Sequence, residues 1–91
     1  MSMGELHPFR VKKTADIAGR NVIGERLRAI RLAAKPKVTL EDLAGRLAAK
    51  GVQLDRSAIG RIENLDRYVL DYELVAIAAA LRVEVSELLL R

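Results

Sequence analysis

The chain has no cysteine and no tryptophan, one histidine, two prolines and three aromatic residues in a length of 91. Each scarcity removes a class of function. Without cysteine there can be no disulfide, no thiolate zinc site and no cysteine nucleophile, which fits a reducing compartment. The single histidine, His7, lies in the N-terminal segment and reads as solvated. No Ser/His/Asp set, metal-ligand spacing or glycine-rich phosphate loop is present. The carboxylates fall mainly at helix starts, where capping accounts for them. The sequence therefore predicts a protein that is not an enzyme, with no metal, no cofactor and no small-molecule ligand. No apolar run approaches the roughly 20 residues of a membrane helix. Residues 1–13 lack the apolar stretch of a signal peptide. The expected location is the cytoplasm, away from membranes.

What is present is aliphatic and basic. Hydrophobic residues make up 51% of the chain and aromatics 3%, so Leu, Ile, Val and Ala must fill the core. The length suits one domain. Such a domain is marginal alone, and dimerisation is a common remedy. The net charge of +4 is unevenly spread. Residues 1–39 carry nine Lys/Arg against three Asp/Glu, residues 40–70 carry five of each, and residues 71–91 carry two against four. A basic end of this kind suits nucleic acid or an anionic lipid surface, although a merely solvated face fits it as well. Membrane binding is disfavoured because the helices carry core stripes and lack aromatic anchors.

Residues 1–20 show no sustained period. Gly4, Pro8 and Gly19 interrupt them, and Arg10, Lys12 and Lys13 cluster, which reads as an irregular basic arm with a helical turn at 14–18. The arm could follow a nucleic-acid backbone, enter the minor groove or be non-specific. Asn21 is the expected N-cap of a first helix over 22–34, with Ile23, Leu27, Ile30 and Ala34 at helical spacing and Pro36 ending it. Thr39 caps a second helix over 40–50, with a Leu40, Leu43, Ala44, Leu47 stripe and Gly51 as its stop. Asp55 caps a third over 56–64, facing Ala58, Ile59 and Ile62 inward and Arg56, Ser57, Gly60 and Arg61 outward. After a loop over 64–70, Asp71 is the expected cap of a fourth helix with Leu74, Ile77, Ala78 and Leu81 as its stripe. Ser86 is the expected cap of a last helix over 87–90. No stretch alternates with period two, so strands are not expected.

Two short helices whose second presents cations outward suit a helix-turn-helix, since the major groove admits a single α-helix. Residues 22–90 resemble the phage-repressor-like helix-turn-helix family (Cro/repressor, XRE type). The segments that carry the resemblance are IGERLRAIR from Ile23, TLEDLAGRL from Thr39, DRSAIGRIE from Asp55 and DYELVAIAAALRVEVSELL from Asp71. The resemblance implies an all-α, compact five-helix bundle of lambda-repressor-like type over residues 21–91. It implies sequence-specific binding of double-stranded DNA by a small, repressor-like transcriptional regulator, as a homodimer on paired half-sites. By the same resemblance, Arg56, Ser57, Gly60 and Arg61 would read bases. Thr39, Leu40, Asn64, Arg67, Tyr68, Arg26 and Arg28 would hold the backbone. Arg31 and Glu63 would form a structural ion pair.

The chain departs from the family's pattern at three places. Ala44 and Ile59 are further apart than usual, Lys35–Pro36–Lys37 resembles an insertion, and Leu40 and Leu65 stand where Gln and Gly are common. A protein–protein interaction module or an antitoxin subunit on the same fold is the alternative reading. The acidic C-terminal third, with Leu88, Leu89 and Leu90, would then offer a partner surface.

Overall fold

Five helices follow one another in the computed structural model, which describes residues 19–90. They are α1 (Gly24–Ala33), α2 (Leu40–Ala49), α3 (Arg56–Glu63), α4 (Asp71–Leu81) and α5 (Val85–Leu88). No strand occurs among the described residues. The arm residues Arg10, Lys12 and Lys13 and the turn expected at 14–18 lie outside them. Arg20, assigned to the arm on sequence, sits on the body: its backbone N–H donates to the Leu65 carbonyl at 2.9 Å.

Three of the five helix stops share one device. At the end of α2, the Val52 N–H reaches back to the Leu47 carbonyl and the Gly51 N–H to that of Ala48, with Gly51 at φ +81°. This is a Schellman motif. The same pair of bonds closes α3 (Asp66 to Arg61, Leu65 to Ile62) and α4 (Val83 to Ala78, Arg82 to Ala79). In those two the left-handed residue is not glycine: Leu65 has φ 62° and Arg82 φ 61°. A side chain there costs about 1 kcal/mol. Leu65 packs its side chain toward Gly24, which offsets part of that cost.

The helix starts follow the sequence at two places and correct it at three. Thr39 accepts from the Asp42 N–H while Asp42 accepts from the Thr39 N–H, a complete capping box. Asp55 accepts from the Ala58 N–H at 2.8 Å. Asn21 is not the N-cap of α1, which begins only at Gly24. Its Oδ1 nevertheless accepts from the Ile23 and Gly24 N–H groups, and its Nδ2 donates to the carbonyls of Ile62 and Arg67. One side chain thus ties the start of α1 to the end of α3. Asp71 is the first residue of α4 rather than its cap; Glu73 instead accepts from the Leu70 N–H. Ser86 likewise lies inside α5, which starts at Val85, and Glu87 accepts from the Glu84 N–H.

The core is aliphatic. Leu27, Leu43, Leu47, Ile59, Ile62, Ile77 and Leu88 are fully buried. Helix α3 packs on α1 and α2, α4 packs on α2, and α5 closes the bundle against α4 and α1. Leu88 fills the interior, whereas Leu89 and Leu90 are exposed. The wide connection between α2 and α3 is anchored too: Leu54 is buried and Val52 packs on the core.

Candidate nucleic-acid interface

Helix α3 has two unlike sides. The inner side buries Ile59, Ile62 and Glu63. The outer side leaves Arg56, Ser57 and Arg61 exposed, with the N-cap Asp55 at its start. Arg61 has no ion-pair partner among the described residues. Gly60 is half-buried, yet a Cβ added there would meet nothing within 4 Å. Its lack of a side chain therefore leaves open space above the helix and satisfies no packing need of the protein.

The inner side is locked by a buried ion pair. Arg31 donates from Nε and Nη2 to the two oxygens of Glu63 at 2.8 and 3.0 Å. Their side chains are 9% and 5% exposed, so water cannot replace either partner. Arg31 also donates to the Val38 carbonyl at 3.0 Å, which fixes the chain just before α2. Arg28, expected at the backbone, lies 3.9 Å from Glu63 with 64% of its side chain exposed. It adds positive charge near the C-terminus of α3 and stays largely exposed.

The starts of α2 and α3 come together. Lys37, Thr39, Leu40, Glu41 and Arg56 line one shallow concavity. Thr39 is exposed and Leu40 half-buried against the core. The first N–H groups of α2 have no partner within their own helix, as at any helix start. Glu41 holds Arg56 at 3.2 Å, with both side chains largely exposed. The sequence marked Lys37 only as part of an insertion and gave Glu41 no place in the interface. Only the fold brings them beside Arg56, fifteen or more positions later in the chain.

The loop after α3 divides the residues expected there. Asn64, the C-cap of α3, and Tyr68 are exposed, and the Arg20 guanidinium lies 5.8 Å from the Tyr68 ring centre. Arg67 is different. Its guanidinium donates to both oxygens of buried Glu73 at 2.9 and 3.2 Å, and to the Tyr68 carbonyl. This hydrogen-bonded pair holds the Glu73 carboxyl below its ordinary range and pushes the Arg67 guanidinium up. Arg67 is thus committed inside the protein, contrary to the backbone role expected of it. Arg26 is committed as well, donating from Nε to the Glu87 carbonyl at 3.0 Å, and it anchors α5 to α1.

Among the described residues, no group of three or more His, Asp or Glu side chains is placed to hold a metal ion. No helix there is long and apolar enough to cross a membrane. No family model, curated protein or solved structure matches the chain. The arrangement itself offers one exposed, cation-bearing face on a helix whose other side is fixed.

Proposed function

We propose that this chain binds double-stranded DNA through a helix-turn-helix formed by α2 and α3, as a small repressor-like transcriptional regulator. The observation that carries the reading is the two-sidedness of α3. A helix that enters the major groove needs one face held rigidly by its own domain and one face free to meet base edges. Buried Glu63 and the Ile59/Ile62 pair supply the first. Arg56, Ser57 and Arg61 supply the second, with Gly60 allowing close approach.

The roles follow from chemistry. Arg61 has the fork that matches O6 and N7 of guanine together. Arg56 exchanges its exposed bond to Glu41 for a base or a phosphate. Ser57 donates or accepts at a base edge. The start of α2, with Lys37 and the free N–H groups of Leu40 and Glu41, faces a phosphate. Asn64, Tyr68 and Arg28 flank the backbone. A pair of such chains on half-sites one helical turn apart, about 34–36 Å, gives the twofold arrangement usual for helix-turn-helix dimers.

The test is fluorescence anisotropy on random duplex DNA across a salt series. The wild type and the Arg56→Ala/Arg61→Ala double variant are compared. The wild type is expected to bind at low salt and to weaken steeply as salt rises, because each phosphate contact releases counterions. The double variant is expected to lose at least tenfold in affinity while keeping its thermal midpoint, about 1–3 kcal/mol per lost base contact. A folded protein that binds no duplex at low salt overturns the reading.

A further inference from the structure

Residues 74–81 of α4 are all apolar, but the fold buries only part of the helix, and we propose that its outward face packs antiparallel against α4 of a second copy of this chain. The inference deepens the DNA-binding reading and rests on it only for the paired half-sites. Ala76, Ile77, Ala78, Ala80 and Leu81 are buried within the bundle. On the other side Tyr72 and Val75 are each 59% exposed, and Ala79 and Arg82 are exposed with them. Positions 72, 75 and 79 follow the 3–4 spacing of a two-helix seam, and Arg82 stands just past the last helical residue, Leu81. Beside the seam, the turn at Lys50–Val52 walls a shallow groove of about 750 Å³ against α4, which has room for an aromatic side chain.

Charge and shape select a second copy as the occupant, and select its direction. Asp71 opens the helix and Arg82 follows its last residue, so the two charges flank the seam at opposite ends. Neither residue has an ion-pair partner among the described residues. A parallel pairing would set like charges together. An antiparallel pairing across a twofold axis opposes Asp71 to the partner's Arg82 at both ends. The same register lays Tyr72 along the stem of the partner's Arg82 and sets Val75 against the partner's Ala79, a larger side chain on a smaller one. Opposed helix dipoles favour that direction as well. Two helices of three turns give an interface at the small end of the specific range, so the dimer should be weak, with Kd on the order of 10 μM.

Sedimentation equilibrium of the full chain without DNA, from micromolar to millimolar protein, tests this. The wild type is expected to form a dimer. Val75→Glu is expected to raise Kd at least tenfold with an unchanged thermal midpoint. Asp71→Arg alone should weaken the dimer, and the charge-exchanged Asp71→Arg/Arg82→Asp variant should restore it. That restoration tests the register even if Val75→Glu fails to fold. A chain monomeric to about 1 mM overturns the proposal and leaves the face to a different protein. A dimer indifferent to both Val75→Glu and Asp71→Arg overturns it too. Arg56→Ala/Arg61→Ala should remain dimeric, so that loss of DNA binding and loss of self-association are read separately.

Discussion

Arg56 and Glu63 stand at opposite ends of α3, and each joins a neighbouring helix through an ion pair, but the two pairs differ in kind. Glu63 takes two bonds from Arg31 at 2.8 and 3.0 Å where neither side chain is more than 9% exposed. Arg56 touches Glu41 once, at 3.2 Å, with exposures of 67% and 71%. A buried charge left alone cannot recover its hydration, so the first pair fixes the helix. An exposed pair is worth little and is screened by salt, so the second can be exchanged for another anion. One helix therefore carries a committed end and an available one, and the proposed binding can be perturbed apart from stability.

The largest expected effect breaks the committed end. Arg31→Ala or Glu63→Ala should cost about 3–5 kcal/mol, because each strands the other charge in the core. Arg56→Ala or Glu41→Ala should stay within about 0.5 kcal/mol. Urea unfolding of the four variants checks both statements. Equal losses in both pairs would make the outer face of α3 structural and remove the basis for a binding role. Gly24→Ala comes next. A Cβ at position 24 would overlap the Ile62 carbonyl oxygen where α1 crosses α3. That obstacle is backbone and cannot rotate away, so a loss of about 3 kcal/mol is expected, at the upper end for overpacking. A substitution that unfolds no more easily than wild type would show that the crossing can give way to a methyl group.

Acid sharpens the same contrast through the second buried carboxylate. Glu73 is held below its ordinary 4.5 by Arg67 and by the Leu70 N–H. A carboxyl with a lowered folded pKa contributes its stability above the unfolded value and loses it as pH falls through the folded one. Stability should therefore decline below about pH 4.5. Asp42, held low by its bonds with Thr39, titrates in the same direction from an exposed position. Glu73→Gln should cost about 1.5 kcal/mol at pH 7 and flatten the acid decline. Urea midpoints at pH 7, 5 and 3 measure both. An acid decline as steep in the variant as in wild type would assign it to other carboxylates.

The helices were legible because their signals are local: aliphatic spacing in α1 to α4, side-chain caps at Thr39 and Asp55, and Gly51 as a stop. Three starts were misplaced, two of them for one reason. In α4 and α5 the capping acid is the third helical residue, Glu73 or Glu87, reaching back to Leu70 or Glu84, so the N-cap itself carries no signal. Asn21 acts from outside its helix and also bonds to chain 41 and 46 residues away. Arg67 and Arg26 looked free in the sequence because a loop or surface arginine reads as solvated until the fold places a carboxylate or carbonyl of another element against it. A trace of the first existed: Glu73 lies on the inward side of α4, where a buried carboxylate requires a cation. The concavity of Lys37, Glu41 and Arg56 had no such trace, since it depends on how two helix starts meet.

The smallest change in stability gives the finest comparison, between Gly45 in α2 and Gly60 in α3. Each lies inside a helix, and a Cβ at either would meet nothing within 4 Å. Alanine should therefore stabilise both helices by roughly 0.5–1 kcal/mol through lower backbone entropy in the unfolded chain. The thermal midpoints of Gly45→Ala and Gly60→Ala should rise together. Duplex affinity should not move together. If α3 lies in the groove, a methyl at position 60 stands between the helix and the base edges, and affinity should fall about tenfold, or about 1.4 kcal/mol. A methyl at Gly45 should leave affinity within twofold of wild type. A Gly60→Ala variant that is more stable and binds duplex as tightly as Gly45→Ala would place the contact surface elsewhere on the molecule.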